Sequence, residues 1–333
     1  MMKKYRTLIF AGALSLMLAA CTADEEVDSS SAGESENKSE QVSNVEKTVA
    51  DEETERKISY LGNDYEVPEK VERIIAASLE AMEDAAVLGV KPAGVISMDG
   101  KTIPKYLESD LSGATVVGSK KEPSTEAMLS LNPEAILGTS KWDEAQISNY
   151  NKIATTFPYS HISTNWKENL LLFGQLAGKE SEAQKALDDY DTKLASTKKS
   201  IANSELKDKK VVIIRVRGGL SVYPAGVYLN PSIYEDFGFT VPEELNSIEA
   251  QTTITYETLA EWNPDMIFLQ YADDENKDTP ELLQEILDNP IFNSTTAAKT
   301  NNVYVNLIDA MAQGGTAWSK INFLEAFNEN VLK

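Results

Sequence analysis

Arg215 and Arg217 close the apolar run Val211-Val212-Ile213-Ile214. Residues two apart on an extended chain face the same side, so both guanidinium groups project together from the end of a strand. An arginine deeper in such a strand would be costly to bury. Guanidinium donors suit oxygen-rich anionic ligands, carboxylates among them. The competing reading is a structural ion pair with one of the chain's many carboxylates. Tyr223, just beyond, is placed to cover one face of a ligand. In open α/β sheets ligands sit beyond the carboxyl ends of strands, and further candidates follow other short apolar runs. These are Ser97 in Ser97-Met98-Asp99, Lys120 in Gly118-Ser119-Lys120-Lys121, Lys141 and Trp142 in Ser140-Lys141-Trp142, and Tyr271 after Leu269-Gln270; Trp318, in the segment Gly314-Gly315-Thr316-Ala317-Trp318, is another candidate. Each reads either as a pocket wall or as a solvated loop residue. Gly314-Gly315 is no phosphate loop, because the strand, Gly-rich turn and Lys-Ser/Thr context is missing.

Other chemistries are poorly supplied. The chain has one histidine, His161, and one cysteine, Cys21. A site for bare Zn²⁺ or Mn²⁺ usually needs several histidines with carboxylates, so no metal site is expected. A hydrolase triad would have to use His161, and no G-x-S-x-G elbow is present, so no catalytic residue is expected. The net charge of −22 over 333 residues argues against nucleic acid as a partner.

The elements that would carry these residues alternate. Strand candidates lie at 73–77, 93–97, 114–118 and 135–138, with a helix over 79–88 stopped by Gly89. Short buried strands separated by helices point to a parallel α/β sheet. Residues 180–203 contain no Gly or Pro and place Ala183, Ala186, Leu187, Tyr190, Leu194 and Ile201 near helical spacing. That predicts one helix of about 35 Å at 1.5 Å per residue. Strand–helix alternation resumes at 211–214, 266–269 and 303–305. The fold class is therefore α/β: two lobes joined by a single long helix.

An internal repeat supports two related lobes. Glu126 is followed by a short helical stretch, Asn132-Pro133-Glu134 and an apolar run; Glu257 is followed by the same pattern through Asn263-Pro264-Asp265. Helix–Asn-Pro–strand is a common connection, because proline stops the helix, but the matching register at the glutamates goes further.

The N-terminus reads as a secretory signal. Lys3, Lys4 and Arg6 precede an uncharged apolar stretch over 8–18, then Leu18-Ala19-Ala20-Cys21. A Leu-x-Ala-Cys box is a lipoprotein signal, in which the cysteine thiol receives diacylglycerol before cleavage. Residues 22–57 hold 12 acidic and 4 basic residues and almost no large apolar ones. Such a stretch reads as a self-repelling tether. The expected divisions are 1–20 signal, 21–57 tether, 58–179 first lobe, 180–204 inter-lobe helix and 205–333 second lobe.

Residues 58–333 resemble the substrate-binding lipoproteins of bacterial ABC importers, in the class with one rigid inter-lobe helix. The resemblance is carried by Val222-Tyr223-Pro224, by Leu229-Asn230-Pro231 through Gly238, and by Ala312-Gln313-Gly314-Gly315 through Lys320. These stretches look like the iron(III)-hydroxamate binders of Gram-positive bacteria, in particular those for citrate-hydroxamate siderophores. The resemblance implies Rossmann-like lobes and a ferric siderophore held between them. The iron arrives fully coordinated, so no cofactor or protein metal ligand is needed. It also implies a monomer, anchored through Cys21 on the outer face of the cell membrane, with modest lobe movement. Arg215 and Arg217 match the strand where the family binds ligand. Glu126 and Glu257 match the glutamates that dock into arginine pockets of the two permease subunits; a bidentate pair at each would fix orientation. The alternative on the same scaffold is haem or cobalamin, with His161 or a methionine as haem ligand.

Overall fold

The computed structural model describes residues 54–98 and 101–332. The expected signal sequence, Cys21 and the acidic stretch as far as residue 53 lie outside the described residues, as does Asp99.

The first described element is a hairpin of β1 (Glu55–Tyr60) and β2 (Asn63–Pro68). Leu61 and Gly62 turn it with φ of 46° and 82°, and positive φ at both central residues matches the twist of paired strands. Ile58, Tyr60 and Val67 point inward. β1 opens inside the stretch assigned to the tether, so the boundary at residue 58 is corrected to Glu55. The inward alternation of Ile58 and Tyr60 was the overlooked signal.

The first lobe is built on β3 (Ile74–Ala76), β4 (Gly94–Ser97), β5 (Thr115–Ser119), β6 (Ala135–Thr139) and β7 (Thr155–Tyr159), ordered β5-β4-β3-β6-β7 and parallel throughout. Its helices are α1 (Leu79–Leu88), α2 (Thr125–Ser130), α3 (Glu144–Tyr150) and α4 (Trp166–Ala177). Ser78 caps α1 and Gly89 ends it with φ 62°. The chain moves outward from β3 to β5, then returns to β6 on the other side. The gap between β3 and β6 is thus a switch point, where α/β sheets bind ligands. β7 was missed in sequence because of Pro158, which a sheet tolerates on an edge strand such as this one.

The long helix is α5 (Glu180–Ala202), buried along Ala183, Leu187, Tyr190, Thr197 and Ile201. It can cross close to α4 because Gly174 has no side chain; a Cβ there would lie 2.8 Å from that of Ala183.

The second lobe holds β8 (Val211–Val216), β9 (Leu220–Val222), β10 (Thr252–Ile254), β11 (Met266–Tyr271) and β12 (Val303–Val305), with α6 (Tyr256–Trp262), α7 (Leu282–Asp288), α8 (Thr296–Lys299) and α9 (Ala317–Asn330). The order is β10-β9-β8-β11-β12; β8, β11 and β12 are parallel, while β9 pairs antiparallel with both neighbours. β8 and β11 are buried apolar strands, as expected at a sheet centre.

The sequence repeat is also a structural one. Asn132 and Asn263 take φ of 45° and 44° before their prolines. Glu134 N donates to Arg73 O (2.9 Å) and Asp265 N to Lys210 O (2.8 Å), pinning each connection to the start of its lobe's first parallel strand.

The lobes meet where the N-terminus of α9 enters the first lobe. Glu83 of α1 accepts from Tyr106 Oη (2.7 Å), the Gln313 amide (2.8 Å), Ser319 Oγ (2.7 Å) and the Thr316 hydroxyl. Asp84 accepts from the Ala317 amide at 3.2 Å. Tyr159 Oη lies 2.7 Å from both Asp84 Oδ2 and the Asn169 carbonyl oxygen. A phenol has one proton and a carbonyl can only accept. The Tyr159 proton therefore serves Asn169, and the proton in the other contact belongs to Asp84. Burial pushes both carboxyls up, Asp84 to about 8 with Glu83 adding to the rise. Glu83 is surrounded by donors, and Asp84 is the neutral partner.

Candidate functional site

A cleft of about 410 Å³ opens where the strands of both lobes end. The first lobe contributes Glu80 from the first turn of α1, Lys141 after β6, and His161, Ile162 and Ser163 after β7. The second lobe contributes Arg215, Arg217, Tyr223, Tyr228, Gln251, and the segment carrying Gln313, Gly315 and Thr316.

The two arginines face the cleft and also share a carboxylate. Arg215 Nε and Nη2 each lie 2.9 Å from an oxygen of Glu275, a bidentate pair. Its guanidinium carbon stands 5.0 Å from the centre of the Tyr228 ring. Burial works against the Arg215 cation, but Tyr228, Glu275 and Tyr223 outweigh it and hold its pKa above the ordinary value. Arg217 is more exposed; its Nε is 3.3 Å from Glu275 Oε1 and its Nη1 donates to Gln251 at 3.0 Å. Tyr223 Oη donates to the same Gln251 oxygen at 3.0 Å. Asn276 fixes the turn that carries Glu275. It donates to Val216 O (2.9 Å) and accepts from the Gly218 amide (2.9 Å), tying that turn to the β8–β9 hairpin. The ion-pair reading and the ligand reading of Arg215 thus describe one arrangement: Glu275 orients the guanidinium groups and offsets one of their charges.

Lys120 and Lys141 differ, since among the described residues neither ammonium has a hydrogen bond or ion pair. Burial pushes the Lys120 pKa down; Glu80 opposes this while Lys141 and Arg215 add to it, which places Lys120 in the same field although it does not line the cavity. Three cations therefore line the cleft, Lys141, Arg215 and Arg217, with Lys120 in their field and the carboxylates of Glu80 and Glu275 opposing them. His161 Nδ1 is 2.7 Å from Ser140 Oγ, which accepts from the His161 amide at 3.1 Å. Burial, with Lys141 beside it, pushes the imidazole pKa down, so it is neutral at pH 7.

Besides Lys120, four candidates do not line this cleft. Trp142 is buried, with its ring centre 4.6 Å from that of Tyr150 and its ring packed against Gly138; a Cβ at Gly138 would sit 1.9 Å from the ring. Ser97 is buried at the end of β4, where its carbonyl accepts from the Lys120 amide at 2.7 Å. Tyr271 is packed in the second lobe, donating to Pro280 O at 3.2 Å. Trp318 lines a different and larger cavity, about 730 Å³, between α1, α5 and α9. That cavity is walled by helix side chains such as Ala86, Ile321 and Leu324 and lacks the convergent cations, so the smaller cleft is the better site. Glu80, Tyr228, Gln251 and Glu275 were missed in sequence. Glu80 follows β3 as the other candidates follow their strands, and the strand-end rule would have found it. Gln251 and Glu275 come from connections with no local signature.

The family model described as "Periplasmic binding protein" matches residues 74–306. The chain belongs to this family. The "Iron-uptake system-binding protein" of Bacillus subtilis (strain 168) is 44% identical over 278 residues, 83% of this chain and 87% of the relative. The crystal structure of the "triscatecholate siderophore binding protein FeuA" of B. subtilis, complexed with ferri-bacillibactin, superposes with a TM-score of 0.74 at 44% identity, covering 82% of this chain and 97% of that one. Staphylococcus aureus SirA complexed with staphyloferrin B gives 0.66 at 25% identity, over 82% and 97%.

As a periplasmic binding protein, the chain presents Glu126 and Glu257 in equivalent settings. Each is the second residue of a short helix, α2 capped by Ser124 and α6 capped by Thr255, and each is exposed. The two-lobed α/β architecture of this family is the one read from the sequence.

Proposed function

We propose that this periplasmic binding protein captures a ferric siderophore in the inter-lobe cleft and delivers it to an ABC importer. The observation that carries this is the convergence of Lys141, Arg215 and Arg217 on one cleft, with Lys120 close enough to interact electrostatically with Lys141 and Arg215. Such a site suits a preassembled anionic complex presenting oxygen atoms all round. The relative of 44% identity crystallised with ferri-bacillibactin puts triscatecholates ahead of citrate-hydroxamates as the ligand class. Relatives named for iron(3+)-hydroxamate binding stand at 25% identity.

Delivery is supported by the repeated glutamates. Glu126 and Glu257, on separate lobes, are positioned to meet arginines on two permease subunits. The Leu-x-Ala-Cys box supports a lipid anchor at Cys21, and a relative 26% identical over 317 residues is named a "Probable siderophore-binding lipoprotein". Haem is the second reading, favoured by His161 in the cleft with Nδ1 engaged by Ser140 and Nε2 left for a ligand.

Tryptophan fluorescence titration with a ferric triscatecholate, a ferric citrate-hydroxamate and haem tests the ligand class. Saturable quenching by a ferric siderophore, unchanged in His161→Ala, is expected. Quenching by haem alone would replace the proposal with the second reading.

A further inference from the structure

Glu80 is out of character with the rest of the cleft. It lines the cavity, is only 8% exposed, and its carboxylate takes no hydrogen bond and no ion pair among the described residues. Buried carboxylates are normally paired or hydrogen-bonded, because burying one unsatisfied is costly. Its place in the first turn of α1 favours negative charge there, but that serves an exposed glutamate equally well. A counter-charge role for Lys120 is also incomplete, since the two interact electrostatically without forming an ion pair.

A ferric siderophore cannot satisfy this group through its iron-binding atoms. Those oxygens offer only lone pairs, and a carboxylate beside them is repulsive. What completes Glu80 is an N–H or O–H donor on the ligand's organic backbone. Resting on the siderophore reading above, we propose that Glu80 is a specificity-determining residue that accepts a hydrogen bond from such a donor. The cations would then hold the iron-bearing anionic part, while Glu80 reads the scaffold that carries it. A site built to pair with a ligand donor rejects the analogue that lacks it more strongly than an apolar pocket rejects a missing methylene, because its own polar group is left stranded.

The test uses two hexadentate ferric triscatecholates of equal charge, one with a backbone hydroxymethyl group and the other with ethyl in its place. Affinities are measured by fluorescence titration for the wild type, Glu80→Ala and Glu80→Gln. The wild type should prefer the hydroxymethyl complex by about tenfold, the ratio that 1.4 kcal/mol represents. Glu80→Ala should lose the preference, and Glu80→Gln, which keeps a carbonyl acceptor at the same reach, should retain part of it. A merely structural role would change both affinities together and leave their ratio alone. The proposal is overturned if the ratio is the same in wild type and Glu80→Ala, including the case where both are unity. If the wild type binds neither complex, the siderophore reading itself fails.

Discussion

Asp84→Asn should remove a slope of about 1.4 kcal/mol per pH unit from the stability of this protein between roughly pH 4 and pH 8. The reasoning begins with the single proton of Tyr159, which the Asn169 carbonyl claims, leaving Asp84 protonated in the folded state. The carboxyl of Asp84 is pushed from 3.8 to about 8, first by burial and then by Glu83. Because the folded value is the higher one, its contribution is fully present below about pH 4. It is lost as the pH rises, since the unfolded chain releases the proton first. Above about pH 8 both states are ionised and the loss is complete, of order 5 kcal/mol in total. Exposed carboxylates with lowered pKa values, Asp64 and Glu72 among them, act in the opposite sense at acid pH, but they are common to both proteins. Urea unfolding at pH 5, 6, 7 and 8 therefore isolates Asp84 as the difference between wild type and variant. Asp84→Asn should gain on the wild type at every step toward pH 8. Parallel stability curves across this range would refute the proton assignment.

Other outcomes follow from the same geometry. Lys141→Ala should weaken a ferric siderophore about tenfold or more, since charge-assisted hydrogen bonds contribute roughly 1.5–3 kcal/mol, and Lys120→Ala, acting only through the field, should weaken it less; fluorescence titration reads both. Glu126→Ala with Glu257→Ala should leave the binding affinity unchanged but abolish uptake of radiolabelled iron complex by whole cells. Gly138→Ala should lower the unfolding free energy by about 1–3 kcal/mol, because the new methyl would occupy the Trp142 ring position; a thermal melt checks it.

Much of the fold is legible in the sequence because its strands are short, apolar and bounded by turn residues. The helix over 79–88 was readable end to end from Gly89 and its spacing, and the long helix from the absence of Gly and Pro. The β1–β2 hairpin and β7 were not. One was masked by the charged residues around it, the other by a proline that only edge placement makes acceptable. Within the site, Arg215 and Arg217 were legible because their spacing on a strand fixes their direction. Glu275 was not, because its role depends on Asn276 docking a turn from 60 residues away onto β8. Trp142 misled for the opposite reason: it follows a strand end as pocket residues do, but Gly138 gives it room to fold back into the core.

Equilibrium dialysis against an iron-radiolabelled ferric triscatecholate, using the wild type and the Lys120→Ala/Lys141→Ala double variant, tests the cleft most directly. The wild type should retain one iron per chain, and the double variant should lose retention at the same ligand concentration. Failure of the wild type to retain iron, or equal retention by both proteins, would contradict capture of a ferric siderophore by these cations.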